Sequence, residues 1–226
     1  MDTKNPIMVI VVIIITILIG ISLMLGIANI NLSNELNHID DELDLTKSML
    51  NDNISKLKET TTSINQTKQF FNKYLNGLGI FYNATLIQEK ADYRLEQAYS
   101  KYDIGHLSNA LAWYWDASDW FQDAWEQFNE AEKIFDIAYN YQINSTYLNI
   151  CSIYLDIIEA SANGMIYAKE ASDLYADTCE FYLENDYKAA HESWDDAESK
   201  MSYHDLELEK VESYQEDLNI ILSEIS

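Results

Sequence analysis

The sequence predicts an all-α protein with an N-terminal transmembrane helix, a coiled-coil-like stalk and a long antiparallel up-down-up-down helical bundle. Three observations predict this class. Residues 7–27 carry no charged side chain, Pro6 is the single proline, and apolar residues recur at seven-residue intervals from Leu36 onward. Because helix breakers are scarce and no run alternates apolar with polar residues, nearly continuous helix is expected.

The apolar stretch predicts a membrane anchor at residues 7–30, after a cytoplasmic tail at residues 1–6. A helix rising 1.5 Å per residue crosses a hydrocarbon core of ~30 Å in about 20 residues. Lys4 precedes the anchor, whereas five acidic residues follow it before Lys47. This bias predicts a single-pass protein of the cell membrane with its C-terminal domain outside. A cleaved signal peptide is the alternative, but its apolar core is usually only 7–15 residues long.

A helical stalk that merges into the bundle is predicted at residues 31–79. One heptad position is apolar throughout and consists of Leu36, Leu43, Leu50, Leu57, Ile64, Phe71 and Leu78. The position three residues later is mostly polar, as at Thr46 and Asn53. Such a seam is a weak coiled coil that needs a second chain or the returning helices of its own chain. Gly77 and Gly79 are expected to interrupt the helix.

Residues 80–226 are predicted to form an extracytoplasmic helical bundle. Turns are expected at Asp103–Gly105, Asn144 and Asn185–Asp186, with Asn144 as a helix N-cap. The strongest pattern pairs a bulky row with an alanine row between these turns: Leu107, Tyr114, Phe121, Phe128 and Phe135 with Ala110, Ala117, Ala124, Ala131 and Ala138. Alternating bulky and small rows let helices approach closely, so both rows are predicted to lie in the core.

Two cysteines distinguish between architectures. Cys151 and Cys179 are 28 residues apart on one heptad stripe. In a continuous helix they would lie ~42 Å apart and could not bond. If Asn163–Gly164 formed a hairpin turn, they would face each other and could form a disulfide in an oxidising compartment. The unbroken heptad phase across Gly164 favours the straight helix with two buried thiols.

The formal charge of −24, from 38 acidic and 14 basic residues, excludes a nucleic-acid binder, because such a protein needs a basic face. An acidic, soluble helix surface is the simplest explanation of this charge. N-x-S/T sequons agree with an outside location, and candidate N-glycosylation sites are Asn31, Asn65, Asn83 and Asn144. Asn53 is also a sequon, but it falls on the stalk seam.

The sequence lacks several common catalytic, metal-binding and nucleotide-binding motifs. No zinc-binding H-E-x-x-H, phosphate-binding loop, dinucleotide fingerprint or nucleophile elbow occurs in it. One Glu-x-x-His spacing, Glu35 with His38, is too little for a di-iron bundle site. We therefore expect no metal, no cofactor and no catalysis.

An aromatic cluster is the one candidate site for a ligand. Its members are Trp113, Trp115, Trp120, Trp125, Asp116 and Asp119. Aromatic faces beside carboxylates could bind a sugar or an organic cation. Trp113 and Trp120 flank the core stripe, whereas Trp115 and Trp125 are predicted nearer the outside. Extension of the core is the simpler interpretation of the same residues.

Two hypotheses for function follow. The first is a non-catalytic, membrane-anchored cell-envelope protein whose bundle scaffolds or binds partners, as a homo-oligomer or with another envelope protein. The second is a sensor-like bundle that binds a ligand outside the cell and acts through a separate signalling protein. Self-association through residues 36–74 would favour the first hypothesis, and a small molecule that stabilises the Trp113–Trp125 region would favour the second.

Overall fold

The computed structural model describes the backbone of residues 6–225 and the side chains of residues 13–224. These residues form helices and no strand: α1 (Pro6–Asp103), α2 (Leu107–Tyr139), α3 (Ser145–Leu183) and α4 (Tyr187–Ile225). The chain divides into two compact units between Thr61 and Thr62. The predicted all-α class is confirmed.

The first unit, up to Thr61, is helical and belongs entirely to α1 in its described part. Every described side chain from Ile13 to Thr61 is exposed. By length and composition, the apolar part of this helix could cross a membrane. The apolar residues of this unit thus have no partner within their own unit.

The second unit, from Thr62 onward, packs four helical segments against one another. Neighbouring helices run antiparallel, since Tyr114 of α2 stacks on Tyr175 of α3 near one end, while Phe135 stacks on Tyr154 near the other. Tyr74 of α1 contacts Tyr154 of α3, and Tyr102 further along α1 contacts Tyr182 further along α3, so these two helices run parallel. These contacts agree with the predicted helical bundle.

The core of this unit follows the two rows that the sequence predicts. On α2 the buried side chains include Tyr114, Phe121, Phe128 and Phe135 and all five alanines of the alanine row. Leu107 is only partly buried because it begins the helix. Burial of such aromatic side chains removes about 150–250 Å² each from water and is the main stabilising term of the unit.

The predicted helix break at Gly77 and Gly79 is wrong, because α1 runs without interruption to Asp103. Gly77 instead serves close packing. A Cβ there would lie 2.7 Å from Cε2 of Phe135, whereas nothing lies within 4 Å of a Cβ at Gly79. Tertiary contacts offset the modest helix-propensity cost of glycine, which is about 1 kcal/mol relative to alanine.

Two turns of the bundle have the same geometry. At the end of α1, Gly105 has φ of 75° and the amide of His106 donates to the carbonyl of Lys101. At the end of α3, Asn185 has φ of 66° and the amide of Asp186 donates to the carbonyl of Phe181. Both are Schellman caps, in which a left-handed residue closes the helix. The turns predicted here are therefore confirmed.

The third helix is straight across Gly164, because α3 extends from Ser145 to Leu183. Both Cys151 and Cys179 are buried and free, so the hairpin alternative is wrong. Gly164 lies where α4 approaches: a Cβ there would be 3.3 Å from Nδ1 of His204. The same Nδ1 bonds the Gly164 carbonyl at 2.9 Å and donates, since a carbonyl only accepts.

Asn144 caps α3 as predicted, because its side-chain oxygen accepts from the amide of Thr146 at 2.8 Å. Two tyrosines at helix starts are exposed. Tyr147 is 38% exposed and Tyr187 is 58% exposed. Each belongs to the first turn of its helix, where fewer neighbouring side chains can cover it.

Candidate binding site

The six residues of the predicted aromatic and acidic cluster do not meet at one place. Trp113, Asp116 and Trp120 lie on the flank of α2 that faces α1, as their contacts with α1 side chains show. Trp115 is 41% exposed and Asp119 is exposed on the outer face. Successive residues of an α-helix are rotated by about 100°, so Trp115 and Asp119 are directed away from the flank that faces α1.

Trp125 lies on the opposite flank, which corrects its predicted position near the outside. It is half-buried and packs against the core. One heptad before it, the Ser118 hydroxyl donates to Asp173 of α3, which also accepts from Lys169. This flank of α2 therefore faces α3, so Trp125 extends the core between these two helices.

Arg94, the single arginine of the chain, occupies the first part of the predicted site. Its guanidinium carbon lies 4.6 Å from the ring centroid of Trp113, and its Nε forms an ion pair with Oδ2 of Asp116 at 3.0 Å. The two side chains of this ion pair are 33% and 43% exposed. Each contact at such exposure stabilises the fold by only about 0.5–1 kcal/mol.

Lys90 lies one helical turn before Arg94 on α1 and reaches the next tryptophan. Its Nζ lies 5.0 Å from the ring centroid of Trp120. Among the described side chains, no carboxylate comes within ion-pair distance of Lys90. The ammonium thus keeps donors that a ligand could use.

A groove of about 410 Å³ between α1 and α2 adjoins these two cations. It is lined by Asn83, Leu86, Glu89, Lys90, Tyr93, Arg94 and Trp120. Tyr93 is 53% exposed and Leu86 is 37% exposed, so both offer apolar surface. The amide nitrogen of Asn83 donates to Oε1 of Gln127 at 3.3 Å, which leaves the Asn83 carbonyl oxygen as an acceptor.

The contacts of Arg94 and Lys90 change the chemistry expected of this surface. The tryptophan faces and the Asp116 carboxylate that were predicted to attract an organic cation already hold cations of the chain itself. Sequence reasoning missed Lys90 and Arg94 as members of the site because they belong to another helix. The available signal was their i, i+4 spacing, which places both on one face of α1.

Three tyrosines lie together inside the bundle, near the turns at Gly105 and Asn185. The hydroxyl of Tyr175 donates to Oε1 of Glu198 at 2.7 Å. Burial raises the pKa of Tyr175 above its ordinary value, and burial also raises the pKa of the neighbouring Tyr99 to about 12. The hydroxyl of Tyr114 is buried without a hydrogen-bond partner. These tyrosines are therefore neutral at physiological pH and act as packing groups.

Burial also determines the ionisation state of the two cysteines. It raises the pKa of both Cys151 and Cys179 to about 12, so both are thiols at neutral pH. Cys151 Sγ donates to the carbonyl of Phe135 at 3.5 Å. Within residues 13–224, no three His, Cys, Asp or Glu side chains come together as a metal-binding group.

The candidate glycosylation sites differ in surroundings. Asn31, Asn65, Asn83 and Asn144 are all exposed. The amide nitrogen of Asn83 donates to Gln127, whereas Asn144 uses its oxygen to cap α3. Modification at these four positions stays a prediction.

Comparisons with protein-family models, curated proteins and solved structures find no match to this chain.

Proposed function

We propose that this is a non-catalytic, membrane-anchored envelope protein that self-associates through α1 and presents its helical bundle outside the cell to scaffold or bind partners. Residues 7–30 would be the anchor, and the charge bias across them supports the orientation. The exposed apolar stripe of α1 carries the proposal.

This stripe consists of Leu36, Leu43, Leu50, Leu57 and Ile64, which are 48–67% exposed. A single large apolar residue at a surface is ordinary, but five at heptad spacing form a continuous face. Isolated helices are marginally stable in water, so a helix with such a face gains most of its stability from a partner. The seven-residue spacing of these residues fits packing against a second helix with the same apolar repeat.

A second copy of the chain is the partner that this segment fits best. Anchors in one membrane hold two copies parallel, which places Glu42 of one copy beside Lys47 of the other and Met49 beside Ile54. The first pair is attractive and the second extends the apolar seam. Glu35 beside Asp40 is repulsive, so the association should centre on residues 42–57.

The polar row of the seam supports a specific register. Thr46, Asn53 and Thr60 alternate with the leucines and weaken the seam. We expect the pairing in which the Asn53 amides of the two copies meet, because each buried amide would otherwise lack a hydrogen-bond partner. A sugar attached at the Asn53 sequon would occupy the seam. Asn53 is therefore expected to remain unmodified in the assembled protein.

The mass of the full chain in detergent micelles, measured by light scattering, tests this proposal. Wild type should be a dimer or higher oligomer, and L50E should be a monomer, because the charge would lie within the apolar seam. L45E is the matched control, since Leu45 is 63% exposed and Leu50 57% exposed, but Leu45 is off the stripe. Near-ultraviolet circular dichroism, which reports the aromatic residues of the bundle, should be equal in both variants.

A monomeric wild type would contradict self-association through α1. Equal masses for L50E and L45E would contradict the stripe as its surface. Because this measurement does not involve the bundle groove, its outcome is independent of any ligand.

A further inference from the structure

We propose that the groove between α1 and α2 binds a small sugar that carries a single carboxylate, such as a uronic acid. The inference rests on the groove residues and is independent of self-association, since no groove residue belongs to the stripe of leucines.

The groove holds Glu89 as well as Lys90 and Arg94, so an anionic ligand is favoured by the donors that the two cations leave unpaired. Arg94 uses its Nε on Asp116, which leaves the donors of its two terminal nitrogens. Lys90 has no carboxylate partner among the described side chains. A cationic ligand could pair with Glu89 but would then lie beside Lys90 and Arg94, whereas a carboxylate would meet both cations directly.

The other walls of the groove fit a pyranose ring. The Arg94 guanidinium carbon lies 5.9 Å from the Tyr93 ring centroid, and the remaining exposed surface of this ring can contact the carbon-bound hydrogens of a sugar. Leu86 adds apolar surface beside it. The Glu89 carboxylate is an acceptor for sugar hydroxyls, and the Asn83 carbonyl is another where this sequon is unmodified. Apolar walls with a few polar groups are typical of small-ligand sites, and about 410 Å³ lies within their usual size range.

The net charge of the chain limits how acidic the ligand can be. At −24, the protein repels a polyanion over its whole surface. A single carboxylate feels chiefly the nearby cations, since charges beyond about 8 Å are screened at physiological ionic strength. The groove therefore favours a monoanion over a sulfated or polyuronic chain.

Ligand-observed NMR titration of the full chain in detergent micelles tests the proposal, with glucuronate as the probe. Methyl glucoside tests the need for the carboxylate, and acetate tests whether any carboxylate suffices. We expect glucuronate to bind in the millimolar range and both comparison compounds to bind at least about fivefold more weakly, the equivalent of roughly 1 kcal/mol.

The K90Q variant should weaken glucuronate binding at least about fivefold, because it removes the unpaired ammonium and keeps a polar side chain of similar length. K133Q is the control, since Lys133 pairs with Glu130 away from the groove. Absence of glucuronate binding, equal affinity for K90Q and K133Q, or equally tight binding of acetate would each overturn the proposal. Loss of binding in K90Q alone, with unchanged helix content, would support it.

Discussion

A Cβ added at Gly77 would lie 2.7 Å from Cε2 of Phe135, which is closer than the Cβ atoms of real side chains approach other heavy atoms. The pair connects α1 to the C-terminal part of α2, where Phe135 also contacts Tyr74 and Tyr154. Phe135 is fully buried, so its ring has little space into which to move. The identity of residue 77 is therefore a condition for the close approach of these helices.

The variant G77A should destabilise the protein by about 1–3 kcal/mol, because the new methyl group must displace the Phe135 ring or the helix backbone. G79A should be neutral or stabilising by up to about 1 kcal/mol, since alanine favours helix and nothing lies near that position. Chemical denaturation of both variants measures the difference. Equal stability of G77A and G79A would contradict the close packing.

The variant G105A should cost about 1–2 kcal/mol, because Gly105 has φ of 75° and a side chain is strained in that region. The equivalent turn provides the matched test: N185G should be neutral or slightly stabilising, since Asn185 already adopts φ of 66°. Thermal unfolding of both variants checks the prediction. A G105A variant as stable as wild type would show that the turn rearranges.

Asp92 should make stability depend on pH in the acidic range. Burial, then Glu96 and Glu89, raises its pKa from 3.8 to about 6. Between these values the folded state binds more protons than the unfolded state, so this group's contribution to stability is lost as pH rises from about 4 to about 6.

The variant D92N should therefore be more stable than wild type at pH 7, by at most about 3 kcal/mol, and the gap should close below about pH 4. D119N removes an equal charge from an exposed position and should have a smaller effect. Urea unfolding at pH 4, 5, 6 and 7 measures the gap. A constant difference between D92N and wild type across this range would exclude the titration of Asp92 as its cause.

Cys151 and Cys179 should resist thiol reagents in the folded protein. Because burial raises both pKa values to about 12, only about one thiol in ten thousand is ionised at pH 8, and the thiolate is the reactive form. Labelling with a chromogenic disulfide should be slow in buffer and complete in denaturant. Rapid labelling of the native chain, or a disulfide between the two cysteines, would contradict the straight, buried α3.

Local sequence signals predicted most of the helical framework. The seven-residue repeat of Phe121, Phe128 and Phe135 specified a buried face, and this face is buried. Asn144 and Gly105 marked helix ends because an N-cap oxygen and a left-handed residue act on their immediate neighbours. The continuous heptad phase likewise favoured a straight helix at Gly164, where α3 is uninterrupted.

These local signals could not predict which side chains of different helices come into contact. Gly77 has the sequence appearance of a breaker, and only the position of Phe135 shows that it is a packing residue. Trp113 and Asp116 suggested a cation site, and only the packing of α1 on α2 brings Arg94 onto them. The sequence alone determined the helical class, the helix ends at Gly105, Asn144 and Asn185, and the buried rows, because caps and periodicity act over a few residues. The tertiary structure decided which side chains of different helices meet, because that depends on the register of one helix against another.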